Sequence, residues 1–191
     1  MDSLYLDSTG GGLSLCFKSG AALRAASGGG GRTQGAEVFG LLEEVLGGVP
    51  VGALGFMAVA LGPGSFTGIR LGLSVAKGFM LACGVPVIGI SRFEAARISR
   101  GAPGGRCLVT FPADDRNVYA AEFSGGRPLA PPRLLERGGV KPEPGAVWLD
   151  DPEIAPEKVL EFLEAGFDRA SFVQRPLVPL YIKPHYAKLP K

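Results

Sequence analysis

Hydrophobic and polar residues alternate near the start of the chain in a pattern that predicts three short strands. Residues 3–7 and 13–17 alternate apolar and polar positions, and residues 21–26 do so more weakly. Glycine-containing turns at residues 9–12 and 18–20 separate the three segments. Strands bounded by such turns pair as hairpins. The chain is therefore predicted to open with an antiparallel sheet of three strands.

The following segment repeats apolar residues with the period of an amphipathic helix. Between residues 34 and 46 they occupy the i, i+3, i+4, i+7 and i+8 positions, which form one face of a helix. These residues are Val38, Leu41, Leu42, Val45 and Leu46. Two glycines and a proline follow and end the predicted helix.

Buried strands and further helices come next. Residues 54–61 are apolar throughout, which is typical of a strand covered on both faces in a parallel sheet. A helix is predicted at residues 67–83 and a strand at 85–90, and Ser91 and Glu94 form a capping box that opens another helix. Three strands followed by helix, strand, helix, strand and helix predict an α/β lobe of the ribonuclease-H-like kind.

A break rich in glycine and proline at residues 101–105 divides the chain into two predicted domains, residues 1–100 and residues 101–191. The second domain is predicted to be smaller, and its residues 128–144 are predicted to be weakly structured. Its predicted elements are strands at residues 107–111, 117–123, 147–149 and 179–183 and a helix at residues 156–165.

The composition sets limits on the function. Lysine and arginine number 20 and aspartate and glutamate 18, so the net charge of +2 provides no overall attraction to nucleic acid or membrane. Three cysteines without short spacings argue against a disulfide framework or a zinc site, and we expect them to be buried. No signal peptide is visible, and Arg70 and Lys77 interrupt the longest apolar run. We therefore expect a cytoplasmic protein.

The first candidate for chemistry is the glycine-rich turn between the buried strand and the helix that follows it. Gly62, Gly64 and Ser65 belong to this turn. Such a turn binds an anion on free backbone N–H groups, or it allows two backbones to approach closely. The spacing matches neither a Walker A loop nor a dinucleotide-binding fingerprint.

The second candidate is the end of the first strand, at Asp7, Ser8 and Thr9. Actin-like ATPases hold magnesium and phosphate at a carboxylate in this position beside a glycine turn. The alternative is a carboxylate that only caps backbone N–H groups of its own turn.

Small residues recur every four positions on the predicted helix at 67–83. Gly68, Gly72 and Ala76 form a smooth stripe that lets a neighbouring backbone or helix approach. The stripe packs either on this chain's own sheet or on a partner's helix, and the sequence leaves both open.

No set of residues predicts catalysis or metal binding. His185 is the only histidine and lies near the end of the chain, which excludes a histidine-rich metal site. Asp114 and Asp115 are adjacent in a predicted turn, where we expect them to be solvated.

Several segments together resemble the bacterial TsaB (YeaZ) family. They are LDST at residues 6–9, GPGSFTGIRLG at 62–72, AKG at 76–78, PVIGIS at 86–91, VY at 118–119 and PLYIK at 179–183. The resemblance covers most of the chain and is thinnest between residues 128 and 170. It differs from the family pattern at Thr33 and Gln34, where a His-Ser pair is usual, and at residues 112–116, where the usual basic turn is replaced by an acidic one.

The resemblance implies an α/β fold of the actin/Hsp70-like superfamily, with two ribonuclease-H-like lobes of which the second is smaller. It implies a subunit without catalysis of its own. Such a subunit is required by the transferase TsaD to place threonylcarbamoyl on N6 of the adenosine 3′ of the anticodon, in tRNAs reading codons that begin with A. TsaD, and not this family, carries the metal-binding histidines.

The resemblance also implies partners. TsaD forms a heterodimer with members of the family, the ATPase TsaE joins that pair, and TsaC or its relative Sua5 supplies the activated threonylcarbamoyl. Contact with tRNA is then indirect, no cofactor belongs to the chain, and ATP or ADP is expected at most at a subunit interface. A homodimer of the isolated chain stays open.

Two sets of site residues follow. The predicted partner interface consists of Val38, Leu41, Leu42, Val45, Gly68, Leu71, Gly72 and Val75. The alternative function, an autonomous actin-like ATPase, would use a nucleotide or anion loop made of Asp7, Ser8, Thr9, Gly62, Gly64 and Ser65.

Overall fold

The structure is a computed structural model, and it describes residues 1–30, 33–101 and 104–182. Its first sheet has the spatial order β3-β2-β1-β4-β5, in which β1 pairs antiparallel with β2 and parallel with β4. The strands are β1 (Asp2–Asp7), β2 (Leu13–Ser19), β3 (Ala22–Gly28), β4 (Phe56–Ala60) and β5 (Val87–Ile90). The predicted three-strand opening and the parallel buried strand are confirmed.

Helices cover both faces of this sheet. On one face lie α1 (Gln34–Leu46) and α2 (Phe66–Cys83), whose apolar residues pack with Leu4 and Leu6 of β1. On the other face lie α3 (Arg92–Ser99) and α4 (Pro156–Gly166), which pack with Tyr5. Successive side chains of a strand point to opposite faces, which is why neighbouring residues of β1 belong to two different cores.

The second sheet follows α3 and has the order β10-β6-β7-β8, with β9 also paired to β7. Its strands are β6 (Cys107–Pro112), β7 (Asn117–Ser124), β8 (Arg127–Pro128), β9 (Arg133–Glu136) and β10 (Val147–Asp150). Phe93 of α3 lies 5.7 Å from Phe111 of β6 between ring centroids, so α3 is shared between the two sheets. Short 3₁₀ helices occupy Val51–Ala53 and Arg137–Gly139.

The chain returns from the second sheet to the first through α4. Glu164 accepts hydrogen bonds from Ser3 Oγ at 2.7 Å and from Lys18 Nζ at 2.6 Å. Val159 and Leu160 of α4 are fully buried against the first sheet. The proposed division between residues 100 and 101 stays a prediction.

Three local predictions differ from the structure. Residues 179–182 form no strand, and Leu180 N–H makes a single bond of 2.7 Å to Leu61 O; Lys183 lies outside the described residues. Within residues 128–144, β9 is a regular strand where weak structure was expected. Cys83 is exposed at the end of α2, whereas Cys16 and Cys107 are buried as expected.

Helix α2 is the one helix among the described residues that is long and apolar enough to cross a membrane by length and composition. Core helices of globular proteins meet the same criterion. Here Ile69, Leu73 and Ala76 of α2 are buried in the core that the helix shares with the first sheet.

Candidate functional site

The two candidate turns lie together at one edge of the first sheet. Because β1 and β4 are parallel neighbours, their carboxyl ends meet, and residues 7–9 lie beside residues 62–65. The turns are in direct contact. Ser65 N–H donates to Thr9 O at 2.8 Å, and Ser8 Oγ donates to Gly68 O at 2.7 Å.

The glycines make this contact sterically feasible. A Cβ atom on Gly64 would overlap the carbonyl of Thr9, and one on Gly68 would overlap the carbonyl of Ser8. A Cβ on Gly72 would lie 2.6 Å from Ser8 Oγ. The small-residue stripe of α2 therefore packs on this chain's own first turn, and its glycines serve the close approach of two backbones.

Four backbone donors near the turn, on Thr9, Ser65, Gly68 and Ile69, are already used inside the chain. Ser65 caps α2 by accepting from Gly68 N–H at 3.2 Å through its hydroxyl, and its carbonyl accepts from Ile69 N–H at 2.8 Å. Thr9 N–H donates to Asp7 Oδ1 at 2.7 Å. An anion at the start of α2 would find these N–H groups occupied.

Asp7 is buried, with 7% of its surface exposed, and both of its oxygens are engaged. Oδ1 accepts from the backbone N–H of Thr9 and, at 2.6 Å, from its hydroxyl. Oδ2 lies 3.6 Å from Nε of Arg92. Hydrogen bonds and a guanidinium charge together compensate a buried carboxylate, so Asp7 has its counter-charge within the chain.

Arg92 is the residue of this site that the sequence interpretation missed. Its guanidinium lies 4.1 Å above the centroid of the Phe111 ring and donates from Nη1 to Pro63 O at 3.4 Å. It also lies against Gly10, where an added Cβ would come within 3.1 Å of Nη2. Arg92 therefore contacts both turns and the second sheet.

One sequence signal could have identified Arg92. It is the first residue of α3 and lies directly after Ser91, inside the capping box that Ser91 forms with Glu94 and that the structure confirms. A cation at a helix N-terminus is electrostatically unfavourable, so a basic residue there indicates an acidic partner elsewhere.

Tyr5 lies next to this ion pair in the buried core. The pKa of its phenol is well above the usual value, first because the group is completely buried and second because of the negative charge of Asp7. Tyr5 is therefore held neutral.

The predicted interface residues lie mostly inside this chain. Six of them are buried in the core or against the first turn: Val38, Leu42, Val45, Gly68, Gly72 and Val75. Leu41 and Leu71 are partly exposed at the edge of the same core. The assignment of these residues to a partner surface stays a prediction, and Phe39 of α1 and Leu81 of α2 are apolar side chains on the same helices that are exposed.

The altered turn at residues 112–116 is closed by its own side chain. Asp114 Oδ1 accepts from the backbone N–H of Arg116 at 3.0 Å and of Asn117 at 2.9 Å, and from Asn117 Nδ2 at 2.8 Å. Across residues 1–30, 33–101 and 104–182, no three histidine, cysteine, aspartate or glutamate side chains group as metal ligands. His185 lies outside these ranges.

Comparison with known proteins gives matches of three kinds. Residues 40–126 match the family model described as TsaD, tRNA N6-adenosine threonylcarbamoyltransferase. An uncharacterized protein of Mycobacterium tuberculosis is 33% identical over 141 residues, which are 69% of this chain and 65% of that protein. The tRNA threonylcarbamoyladenosine biosynthesis protein TsaB of Escherichia coli is 36% identical over 69 residues, 35% of this chain and 30% of TsaB.

The fold agrees with solved structures of the same kind. YeaZ from Pseudomonas aeruginosa superposes with a TM-score of 0.69 at 19% identity, over 95% of this chain and 99% of that structure. This match confirms the predicted α/β fold over nearly the whole chain. The chain therefore shares its fold with YeaZ, and parts of its sequence are similar to TsaB of Escherichia coli and to the TsaD family model.

Proposed function

We propose that the chain is a non-catalytic partner of the transferase TsaD. In this role it is required for threonylcarbamoyl addition to N6 of the adenosine 3′ of the anticodon, in tRNAs reading codons that begin with A. The observation that carries the proposal is the homology to TsaB of Escherichia coli, a tRNA threonylcarbamoyladenosine biosynthesis protein by name.

The geometry of the turn site supports a role without catalysis. An actin-like ATPase needs a carboxylate that is free to hold magnesium and a loop with free N–H donors for phosphate. Here Asp7 is engaged by Thr9 and Arg92, and residues 62–65 pack directly on residues 7–9. A nucleotide at this place would have to displace contacts that the chain makes with itself.

We place the TsaD contact on the outer sides of α1 and α2. Leu41 and Leu71 of the predicted set border this surface, and Phe39 is 57% exposed on it. The buried members of the set support the surface from beneath. An exposed aromatic side chain on a helix is a typical anchor of a protein interface.

The remaining assignments follow from the same role. TsaE joins the pair, TsaC or Sua5 supplies the activated group, and tRNA is contacted only indirectly. The chain has no cofactor of its own, and ATP or ADP binds at most at the subunit interface. It acts in the cytoplasm, and the question of a homodimer in the absence of TsaD stays open.

The experiment that tests this function mixes the purified chain with its cognate TsaD. Complex mass is measured by light scattering, and tRNA modification is measured with TsaC, TsaE, threonine, bicarbonate and ATP, with and without the chain. We expect a heterodimer and modification that depends on the chain. If TsaD modifies tRNA equally well without the chain, the proposed function is wrong.

A pair of variants tests the surface separately. Phe39→Glu places a charge on α1 and should abolish co-elution with TsaD. Leu129→Glu is the matched control, because Leu129 is exposed to a similar extent (49%) but follows β8 in the second sheet. Equal co-elution of both variants would contradict the surface while leaving the function in place.

A further inference from the structure

Strand β5 forms one edge of the first sheet, and the N–H and C=O groups of every second residue on it face away from β4. Toward β4, Pro86 O accepts from Met57 N–H at 2.8 Å and Ile90 O accepts from Leu61 N–H at 2.9 Å. The N–H and C=O groups of one residue point to the same side of a strand, and successive residues alternate between the two sides. Val87 and Gly89 therefore direct their N–H and C=O groups outward.

The first of these outward residues is satisfied by a side chain. Gln174 accepts from Val87 N–H at 3.0 Å through Oε1 and donates to Val87 O at 2.9 Å through Nε2. In an antiparallel pair, two opposite residues exchange this same couple of bonds. The carboxamide of Gln174 thus takes the place of one residue of a neighbouring strand.

The second outward residue, Gly89, opens onto a cavity. No group in the described part of the chain forms a hydrogen bond with its N–H or C=O. Beside it lies a cavity of about 590 Å³, which is in the range of ligand-binding sites. Its walls are mainly apolar and include Ile88, Phe162, Leu163, Phe167 and Phe172.

The cavity also carries a positive charge. Arg175 lines it, is exposed, and forms no ion pair with any carboxylate of the described residues. Asp168 also lines the cavity and contributes a negative charge, but it is not paired with Arg175: it accepts from Ser171 Oγ at 2.8 Å and from Ala170 N–H at 3.0 Å, and these bonds lower its pKa. An anionic group on a ligand would therefore complement Arg175.

We propose that this cavity, the β5 groove, binds an extended peptide that carries apolar side chains and a carboxylate. The peptide adds to the edge of β5 beyond Gln174 and exchanges two hydrogen bonds with Gly89. Its apolar side chains lie against Phe162 and Phe172, and its carboxylate lies at Arg175. Strand addition supplies main-chain bonds, and the pocket supplies selectivity for side chains. The proposal does not depend on the proposed function.

The free edge itself can be measured in the intact protein. We expect the amide of Gly89 to exchange hydrogen quickly, because it faces the open groove, while the amides of Ile88 and Ile90 exchange slowly inside the sheet. If the Gly89 amide is instead protected from exchange, and the protection increases with protein concentration, a second copy of the chain occupies the edge and the proposal is wrong.

The ligand class is tested with a library of random hexapeptides that have free carboxyl termini. The library is selected on the full chain, and the affinity of enriched peptides is measured by fluorescence anisotropy. We expect enrichment of peptides with apolar residues and a carboxylate, and slower exchange at Gly89 when they bind. If no peptide is enriched, or if enriched peptides leave Gly89 exchange unchanged, the proposal is wrong.

Two variants isolate the decisive groups. Gly89→Pro removes the outward N–H but no bond to β4. Gly89→Ala keeps the N–H and adds a Cβ at the same place, which comes within 2.9 Å of Leu61 Cδ2 so that this side chain has to shift in both variants. We expect Gly89→Pro to weaken peptide binding more than about tenfold, and Gly89→Ala to change it by less than about threefold. Arg175→Gln should weaken the binding of peptides that carry the carboxylate. It should not change the affinity of the same peptides when that carboxylate is converted to an amide.

A measurement on the unaltered protein covers the case in which Gly89→Pro fails to fold. Each backbone nitrogen of an enriched peptide is methylated in turn. Loss of binding at the position that pairs with Gly89, and at no other, supports strand addition. Equal affinity of all methylated peptides would contradict it.

Discussion

The Nε atom of Arg92 lies 3.6 Å from Oδ2 of Asp7, and the two side chains are only 16% and 9% exposed. This pair joins the end of β1 to the start of α3. It also places a permanent positive charge beside the carboxylate that an actin-like ATPase would use to hold magnesium.

Removal of the cation should destabilise the protein. Arg92→Ala leaves Asp7 buried with an uncompensated charge, and we expect the free energy of unfolding to fall by about 3 kcal/mol. Asp7→Asn together with Arg92→Ala should recover part of this loss. Urea denaturation measures the free energy of unfolding of both variants.

Arg106→Ala is the control, because Arg106 and Glu143 are also 3.6 Å apart but more than half exposed. The free energy of unfolding should fall by less than about 1 kcal/mol in this variant. Equal losses for Arg92→Ala and Arg106→Ala would contradict the assigned role of burial.

Two glycines of α2 should respond in opposite directions to the same substitution. Gly68→Ala drives a Cβ into the carbonyl of Ser8, and we expect a loss of about 2–4 kcal/mol in the free energy of unfolding. Gly78→Ala meets no atom within 4 Å and should stabilise the exposed helix by up to about 1 kcal/mol. Thermal denaturation compares the two. A neutral Gly68→Ala would show that the two turns are not in close contact.

The isolated chain should not bind nucleotide at the turn site. Titration calorimetry with Mg-ATP is expected to show no heat of binding, because Asp7 and the donors near Ser65 are already engaged. Micromolar binding that Asp7→Ala removes would instead support the autonomous ATPase.

The three cysteines should differ in reactivity. Cys83 is exposed, whereas Cys16 and Cys107 are buried, and burial raises the pKa of both thiols. We expect a thiol reagent to label one cysteine per folded chain near about pH 8 and three after unfolding in urea. Rapid labelling of more than one cysteine in the folded protein would show that the core around Cys16 is open.

Stability should fall in alkaline solution. Burial raises the pKa of Cys16 from 9.0 to about 11 in the folded protein. The unfolded chain therefore loses this proton first, so the contribution is complete below about pH 9 and is lost as the pH rises towards about 11. Between these limits we expect the wild type to lose about 2 kcal/mol more than Cys16→Ala. Parallel curves for the two proteins, measured by urea denaturation, would refute this assignment.

The sequence predicted the elements of the first sheet well, because their signals are local. The period of α1 and the unbroken apolar run of β4 depend only on which faces are buried. The same signals do not show whether the apolar face of a helix is covered by this chain or by a partner protein. Val38, Leu42 and Val45 pack on this chain's own sheet, and their assignment to a partner surface stays a prediction.

The features that the sequence did not predict depend on contacts between distant segments. Strand β9 has no alternation of apolar and polar residues. Only its pairing with β7 identifies it as a strand. Arg92 lies beside Asp7 only because the pairing of β1 with β4 and of β4 with β5 brings the end of β1 close to the start of α3. The β5 groove exists because Gln174 reaches Val87 across 87 positions of sequence.

The return of α4 to the first sheet has a consequence for how the protein can be divided. Val159 and Leu160 fill the space over Tyr5 and Cys16, and Glu164 anchors the helix to Ser3 and Lys18. A fragment that ends near residue 100 would leave this apolar surface bare and would be expected to aggregate. We therefore do not expect the first half of the chain to fold on its own. A fragment that folds and can be expressed has to extend to residue 166, the end of α4.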